Sequence, residues 1–211
     1  LIIPSLLKNR GFTSGLLLGF AYFAAVNGFA YVTSLFFQTA LGLTPSRAAI
    51  GLAPVMIGII GASLVCRPLI TTLGRRLVVI GLLITLAGAG GLWGTVVLEG
   101  ISVDAWAMAP SLLALGIGMG ACFSSIFDVA LGNIAPSEGG SASGSLSAVQ
   151  QLAAAVGAAV VTTVYFGQRT AHGPAHAMTV SVAVVGGIAA LCLGLVWLLP
   201  RDAPSEEYLD S

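Results

Sequence analysis

Charged residues divide this chain into long apolar runs. Six runs free of Asp, Glu, Lys and Arg are long enough to cross a bilayer: Gly11–Ser46, Ala48–Cys66, Leu77–Leu98, Ala105–Phe127, Gly139–Gln168 and Thr170–Pro200, with 36, 19, 22, 23, 30 and 31 residues. A ~30 Å hydrocarbon core takes about 18–20 apolar residues at a 1.5 Å rise, so each run predicts one spanning helix. Segments of roughly ten residues with alternating polarity are missing, which excludes a closed barrel, the other architecture that satisfies its backbone in lipid. The pattern predicts an all-α integral membrane protein. Its spans are expected at about 13–38, 48–70, 77–98, 106–131, 143–167 and 177–199, with a lead-in over 1–12 and a tail over 201–211.

Composition agrees. The 211 residues carry 8 Lys+Arg against 8 Asp+Glu, so charged residues make up 8% where a soluble domain has roughly 25%. Net charge is zero and Lys8 is the only lysine, so no basic cluster points to nucleic acid. The first apolar stretch, about Leu16 to Phe37, is longer than the apolar region of a signal peptide and is expected to stay in the membrane. The chain opens at Leu1, which leads us to expect a piece of a longer polypeptide. Cys66, Cys122 and Cys192 fall in three different apolar segments without a C-x-x-C pair. They read as small apolar packers.

Alternation of the spans gathers Lys8, Arg10, Arg67, Arg75, Arg76 and Arg201 on one side and leaves Arg47 and Arg169 on the other. The positive-inside rule then puts both termini in the cytoplasm of a cell (plasma) membrane protein. Local breakers mark the turns: Thr44-Pro45-Ser46, Pro68 with Gly74, Pro110, and Ala135-Pro136-Ser137-Glu138-Gly139-Gly140. Small residues four apart, Gly116 and Gly120, Gly140 and Gly144, Ala153 and Gly157, predict close helix packing.

Three patches are more specific. Gln38-x-x-x-Gly42-x-Thr44-Pro45-x-x-Ala48 with Pro54 beyond it resembles the junction of the first two helices in the C-terminal bundle of major facilitator superfamily exporters of the fourteen-helix drug:proton antiporter type. Leu6-Leu7-Lys8-Asn9-Arg10-Gly11-Phe12 is similar to the cytoplasmic lead-in of that bundle. Gly140-Ser141-Ala142-Ser143-Gly144, continuing through Val149-Gln150-Gln151-Leu152 to Gly157, is similar to a later turn and helix. The resemblance implies a six-helix half-bundle built of two three-helix inverted repeats, an N-terminal half-bundle missing from this chain, a small-molecule substrate and protons as the coupled ion. No cofactor is implied. The sequence departs from the family pattern at Arg67, Thr71 and Thr72, where a glycine and an Asp-Arg pair are usual. Of the cytoplasmic gating loop only Gly74, Arg75 and Arg76 remain. Gln150 stands where an arginine is common, and Ala153 and Ala154 where glycines are.

Candidate functional residues are the few polar ones inside the runs. Asn27 falls near the middle of the first span, where an unpaired amide is costly, so it must face protein or a wet cavity. It reads either as a substrate-path residue or as an interhelical hydrogen-bonding group worth about 0.6–2 kcal/mol. Gln150 and Gln151 point about 100° apart, and Ser147 lies four residues before Gln151 on its face. With Ser143, Thr162 and Thr163 they form a polar stripe toward a cavity, or packing contacts near the cytoplasmic third. Asp128 ends the fourth run. It is the proton-coupling candidate, and its depth equally fits a hydrated interfacial carboxylate near Arg75 and Arg76. His172 and His176 have i, i+4 spacing, but Gly173-Pro174 lies between them and a third ligand is missing, so no metal site is expected. Trp93, Trp106, Tyr165 and Trp197 read as interfacial anchors.

Three functional classes compete. A secondary transporter, exporting small amphipathic compounds by alternating access, fits the charge-poor helices with intramembrane amides. An intramembrane serine protease needs a histidine within reach of its serine, whereas Ser143 and the histidines fall on opposite sides. A permease subunit of an ATP-driven transporter has no coupling-loop pattern in its favour, and the chain has no P-loop. The expectation is a transporter and not an enzyme.

Overall fold

The computed structural model describes residues 10–131 and 139–196. Its helices are α1 (Arg10–Thr39), α2 (Pro45–Gly51), α3 (Ala53–Leu73), α4 (Arg75–Glu99), α5 (Ala109–Leu131), α6 (Gly139–His172) and α7 (Pro174–Leu195), with one 3₁₀ turn at Gly100–Ser102. Because α2 leads into α3 as one span, six stretches are long and apolar enough to cross a membrane. The regular elements among the described residues are all helical, giving an all-α bundle. Residues 1–9, 132–138 and 197–211, which include most of the lead-in, the Pro136 turn, Trp197 and the tail, lie outside the described residues.

Helix ends differ from the expected spans for local reasons. Arg10–Phe12, assigned to the lead-in, already belong to α1. The second span starts at Pro45 and not at 48. Thr44 is extended and its hydroxyl accepts from the Arg47 amide at 3.4 Å, while Pro45 occupies the first helical position, where its missing N–H costs nothing. The fifth span outruns 143–167 at both ends because nothing between Gln168 and His172 breaks a helix. Only Gly173, at φ +86°, ends it, and Pro174 at once starts α7. Gly74, at φ +44°, likewise turns α3 into α4 within one residue. At 34 residues, α6 is about 51 Å long, well over a ~30 Å hydrocarbon core.

Helix contacts follow an internal two-fold pattern. α3 packs on α5 as α6 packs on α1; α4 packs on α5 as α7 packs on α1; and α1 meets α5 while α4 meets α7. Exchanging α1, α3 and α4 for α5, α6 and α7 maps each of these contacts onto another or onto itself. Three spans per repeat is an odd number, so the two repeats run in opposite senses through the membrane. This is the architecture of two inverted three-helix repeats. The symmetry is incomplete, since α6 also lies along α7 whereas α3 barely touches α4.

Glycines set the closest approaches, again in related pairs. A Cβ on Gly157 of α6 would overlap the backbone of Ala24 in α1, and one on Gly28 would come within 2.7 Å of the Gly157 carbonyl. In the other repeat pair, Gly116 and Gly120 of α5 lie against the backbones of Val55 and Ile59 in α3, and a Cβ on Gly58 would sit 2.6 Å from the Leu113 carbonyl. Small residues permit such approach, and van der Waals packing then drives association where lipid offers no hydrophobic gain. Gly140 and Gly144, the third small-residue pair, face open space among the described residues.

The core fills the space between α1, α4, α5 and α7. Tyr22, Phe23, Phe29, Phe36 and Phe37 of α1 pack with Leu82, Leu92, Leu112, Leu115, Cys122, Val182 and Val185. The Tyr22 hydroxyl donates to the Met119 carbonyl at 2.8 Å, tying α1 to α5. Cys66, Cys122 and Cys192 are buried free thiols, and the Cys122 Sγ donates weakly to the Val78 carbonyl at 3.6 Å.

Candidate functional site

α1 and α6 touch at Ala24, Gly28 and Gly157. Beyond this contact lies an open groove of about 740 Å³, lined by Tyr31 of α1 and by Ala158, Ala159, Thr162, Thr163, Phe166 and Gly167 of α6. Small α6 residues leave the volume, two aromatic rings supply apolar walls, and threonines bring the side-chain hydroxyls that accompany the Tyr31 phenol. No residue of the lining is charged. Pockets of 300–1,000 Å³ with mostly apolar walls suit drug-sized ligands.

The structure separates the sequence candidates. Asn27 is half-buried at the crossing, one turn before Tyr31, and its Nδ2 donates to the Phe23 carbonyl of its own helix at 2.8 Å. Thr162 and Thr163 are in the groove. Gln150, Gln151, Ser147 and Ser143 lie on the other side of Gly157, toward the end that carries Gly74. Gln150 is half-buried and the other three are exposed. The stripe of amides and hydroxyls is thus broken by the crossing into two stations.

Asp128 is in the last turn of α5, and its side chain lies outside the described ones. Gly74 is buried in the α3–α4 turn, Arg75 is half-buried and engaged with a neighbour, and Arg76 is exposed. His172 and His176 are exposed with ring centroids 4.8 Å apart, because α6 and α7 run up to the single residue Gly173 on either side. The stretch left between the spans expected at 143–167 and 177–199 is thus helical apart from a one-residue turn at Gly173. Among the described residues no three His, Cys, Asp or Glu side chains gather around a metal-sized space.

Trp93 and Trp106 are exposed, but Tyr165 is fully buried, which corrects its reading as an interfacial anchor. Its ring makes an edge contact with Phe166 at 5.6 Å. A smaller recess, about 310 Å³, lies at the Arg47 end, where Arg47 and Asp104 share a wall with Trp106. Neither the groove nor this recess is legible in the sequence, since packing alone brings Tyr31 to α6 in the one and the Leu43–Gly51 stretch to Asp104–Trp106 in the other.

A sequence profile described as the Major Facilitator Superfamily matches residues 2–158. The chain belongs to this superfamily. The six spans are accordingly a major-facilitator half-bundle. With six stretches able to cross a membrane, this is a multi-pass membrane chain of that superfamily. It is similar to a Streptomyces coelicolor protein named "Probable actinorhodin transporter", with 34% identity over 79% of this chain and 29% of that one. It is also similar to a puromycin resistance protein of Streptomyces alboniger, with 25% identity over 78% of this chain and 35% of that one. A tetracycline resistance determinant of Streptomyces rimosus is 31% identical over 78% of this chain and 47% of its own length. The chain spans less than half the length of each of these relatives.

Proposed function

We propose that this chain is the C-terminal half of a proton-coupled exporter of small amphipathic compounds. It acts in the cell membrane with both ends of the segment in the cytoplasm, rocking against an N-terminal six-helix bundle to give alternating access. The observation that carries the reading is the charge-free groove between α1 and α6, which offers aromatic walls and hydroxyls and no fixed ion partner. Three relatives named for moving or resisting antibiotics support the export direction. In this scheme Asn27 lies at the waist of the path, Gln150, Gln151 and Ser147 line its cytoplasmic station, and the groove is its outer station. Gly74, Arg75 and Arg76 act as the cytoplasmic gating turn, and Asp128 as the proton-coupling carboxylate.

The complete protein, expressed in an efflux-deficient host, is expected to expel a drug only while a proton gradient is maintained. Efflux that continues after a protonophore has collapsed the gradient sinks the coupling. A second measurement addresses Asp128. Asp128→Asn is expected to flatten the dependence of efflux on pH, and an unaltered pH profile returns this residue to the membrane interface.

A further inference from the structure

The smaller recess at the Arg47 end holds what the groove lacks, a fixed charge of each sign. Arg47 and Asp104 both line it, with Ile50 and Trp106 beside them. Both charged side chains are exposed, and among the described residues neither forms an ion pair. Local turns hold them. The Asp104 Oδ1 accepts from the Trp106 amide at 3.3 Å, and the Asp104 carbonyl accepts from the Ala107 amide at 3.0 Å, a side-chain turn that fixes the carboxylate. Arg47 stands in the first turn of α2, where its amide donates to the Thr44 hydroxyl. A guanidinium and a carboxylate anchored separately in one recess, and not joined to each other, suit the two ends of a zwitterion.

Depth narrows the class of ligand. The recess lies where the second membrane-crossing stretch begins at Pro45, the third ends at Ser102 and the fourth begins at Ala109. It is therefore at the level of lipid headgroups, and Trp106, 66% exposed, has the amphipathic ring that prefers this level. An apolar track leads from it into the bilayer. Ile50 is in the lining, and Ile57, Gly61 and Leu64 follow on one strip of α3. The three side chains are more than half exposed, and Gly61 has open space where a side chain would be.

We propose that this recess binds the headgroup of a phosphatidylethanolamine lipid, with the phosphate on Arg47, the primary ammonium on Asp104 and an acyl chain along Ile57, Gly61 and Leu64. A soluble zwitterion satisfies the charges but leaves the track unused. A primary ammonium keeps three N–H donors for the carboxylate, whereas the quaternary ammonium of phosphatidylcholine has none. Phosphatidylglycerol brings a phosphate for Arg47 and no cation for Asp104. The bound headgroup ties the start of the second span to the link between the two repeats. The proposal goes beyond the exporter reading and does not depend on what the protein carries.

The test titrates the complete protein, purified in detergent, with dioleoyl forms of phosphatidylethanolamine, phosphatidylcholine and phosphatidylglycerol, and with glycerophosphoethanolamine, the headgroup without chains. Bound molecules are counted by native mass spectrometry. The wild type is expected to bind the ethanolamine lipid about five- to tenfold more tightly than the other two lipids, and the chainless headgroup much more weakly. Arg47→Gln is expected to weaken the ethanolamine and glycerol lipids alike. Asp104→Asn is expected to weaken only the ethanolamine lipid, about five- to tenfold, which abolishes the preference. The substituted amide retains an oxygen for the Trp106 N–H, and both residues are exposed, so the lipid-free thermal midpoint of each variant is expected to match the wild type. Equal wild-type affinities for the three lipids overturn the proposal, as does a preference that survives both substitutions. Glycerophosphoethanolamine binding as tightly as the whole lipid also overturns it and assigns the recess to a soluble zwitterion. A lipid-free midpoint lowered in both variants overturns it too, because the charges would then serve the fold.

Discussion

Gly157→Val is expected to give the largest loss of folded protein of any single substitution on α6. The new Cβ would overlap the Ala24 backbone, and a backbone cannot rotate out of the way as a side chain does. α1 and α6 must then separate along their whole line of contact, forfeiting dispersion on both sides of the crossing. Overpacking costs about 1–3 kcal/mol in general, and this geometry lies at the upper end. For the detergent-solubilised complete protein we expect the thermal midpoint to fall by roughly 6–12 °C, with a matching loss of monodisperse material on size exclusion. Gly90→Val is the control. Gly90 is exposed on α4 with nothing within 4 Å, and its midpoint is expected to stay within about 2 °C. Equal behaviour of the two variants would show that the α1–α6 approach is not what holds this half together.

Asn27→Ala is expected to cut efflux about tenfold, a transition-state loss near 1.4 kcal/mol, while insertion and thermal midpoint remain those of the wild type. The amide adjoins the Gly28–Gly157 contact, the proposed waist of the path, and its Nδ2 is satisfied by the Phe23 carbonyl of its own helix. Removing it breaks no tie between helices, so stability and transport separate cleanly. Efflux by Asn27→Ala equal to that of the wild type assigns the residue to helix packing.

Six spans and their helical nature follow from charge-free length alone, because lipid forbids any backbone arrangement that leaves N–H and C=O groups open. The order of packing does not. Gly116 and Gly120 announce their close contact by spacing, as do Gly28 and Gly58 once Ala24 and Ala62, each four residues away, are counted as small, but Gly140 with Gly144 carries the same motif into open space among the described residues. A spacing rule reports which helix face is smooth and leaves the partner unspecified. Within the candidate site, Asn27 and the threonines were visible as polar residues in apolar runs. Their division by the Gly157 crossing was not, since it depends on where two helices part. Tyr165 shows the same limit: its place near a helix end suits an interfacial anchor, and only three-dimensional packing buries it.

The exchanged packing of the repeats also constrains how the protein is made. Helix α3 finds its main partner in α5, and α1 finds one of its own in α6, so the first three spans leave the translocon before the surfaces they are built to meet. Gly28 waits for Gly157, about 130 residues later, on the order of ten seconds at 5–20 residues per second. Each early span must therefore be stable in lipid on its own hydrophobicity, and the apolar outer face of α3, with Ile57, Ile60, Leu64 and Val65 exposed, meets that need. The assembled half is correspondingly hard to split. Neither repeat is a self-contained folding unit, and proteolytic cuts at the turn joining them are expected to leave two fragments that stay clasped together.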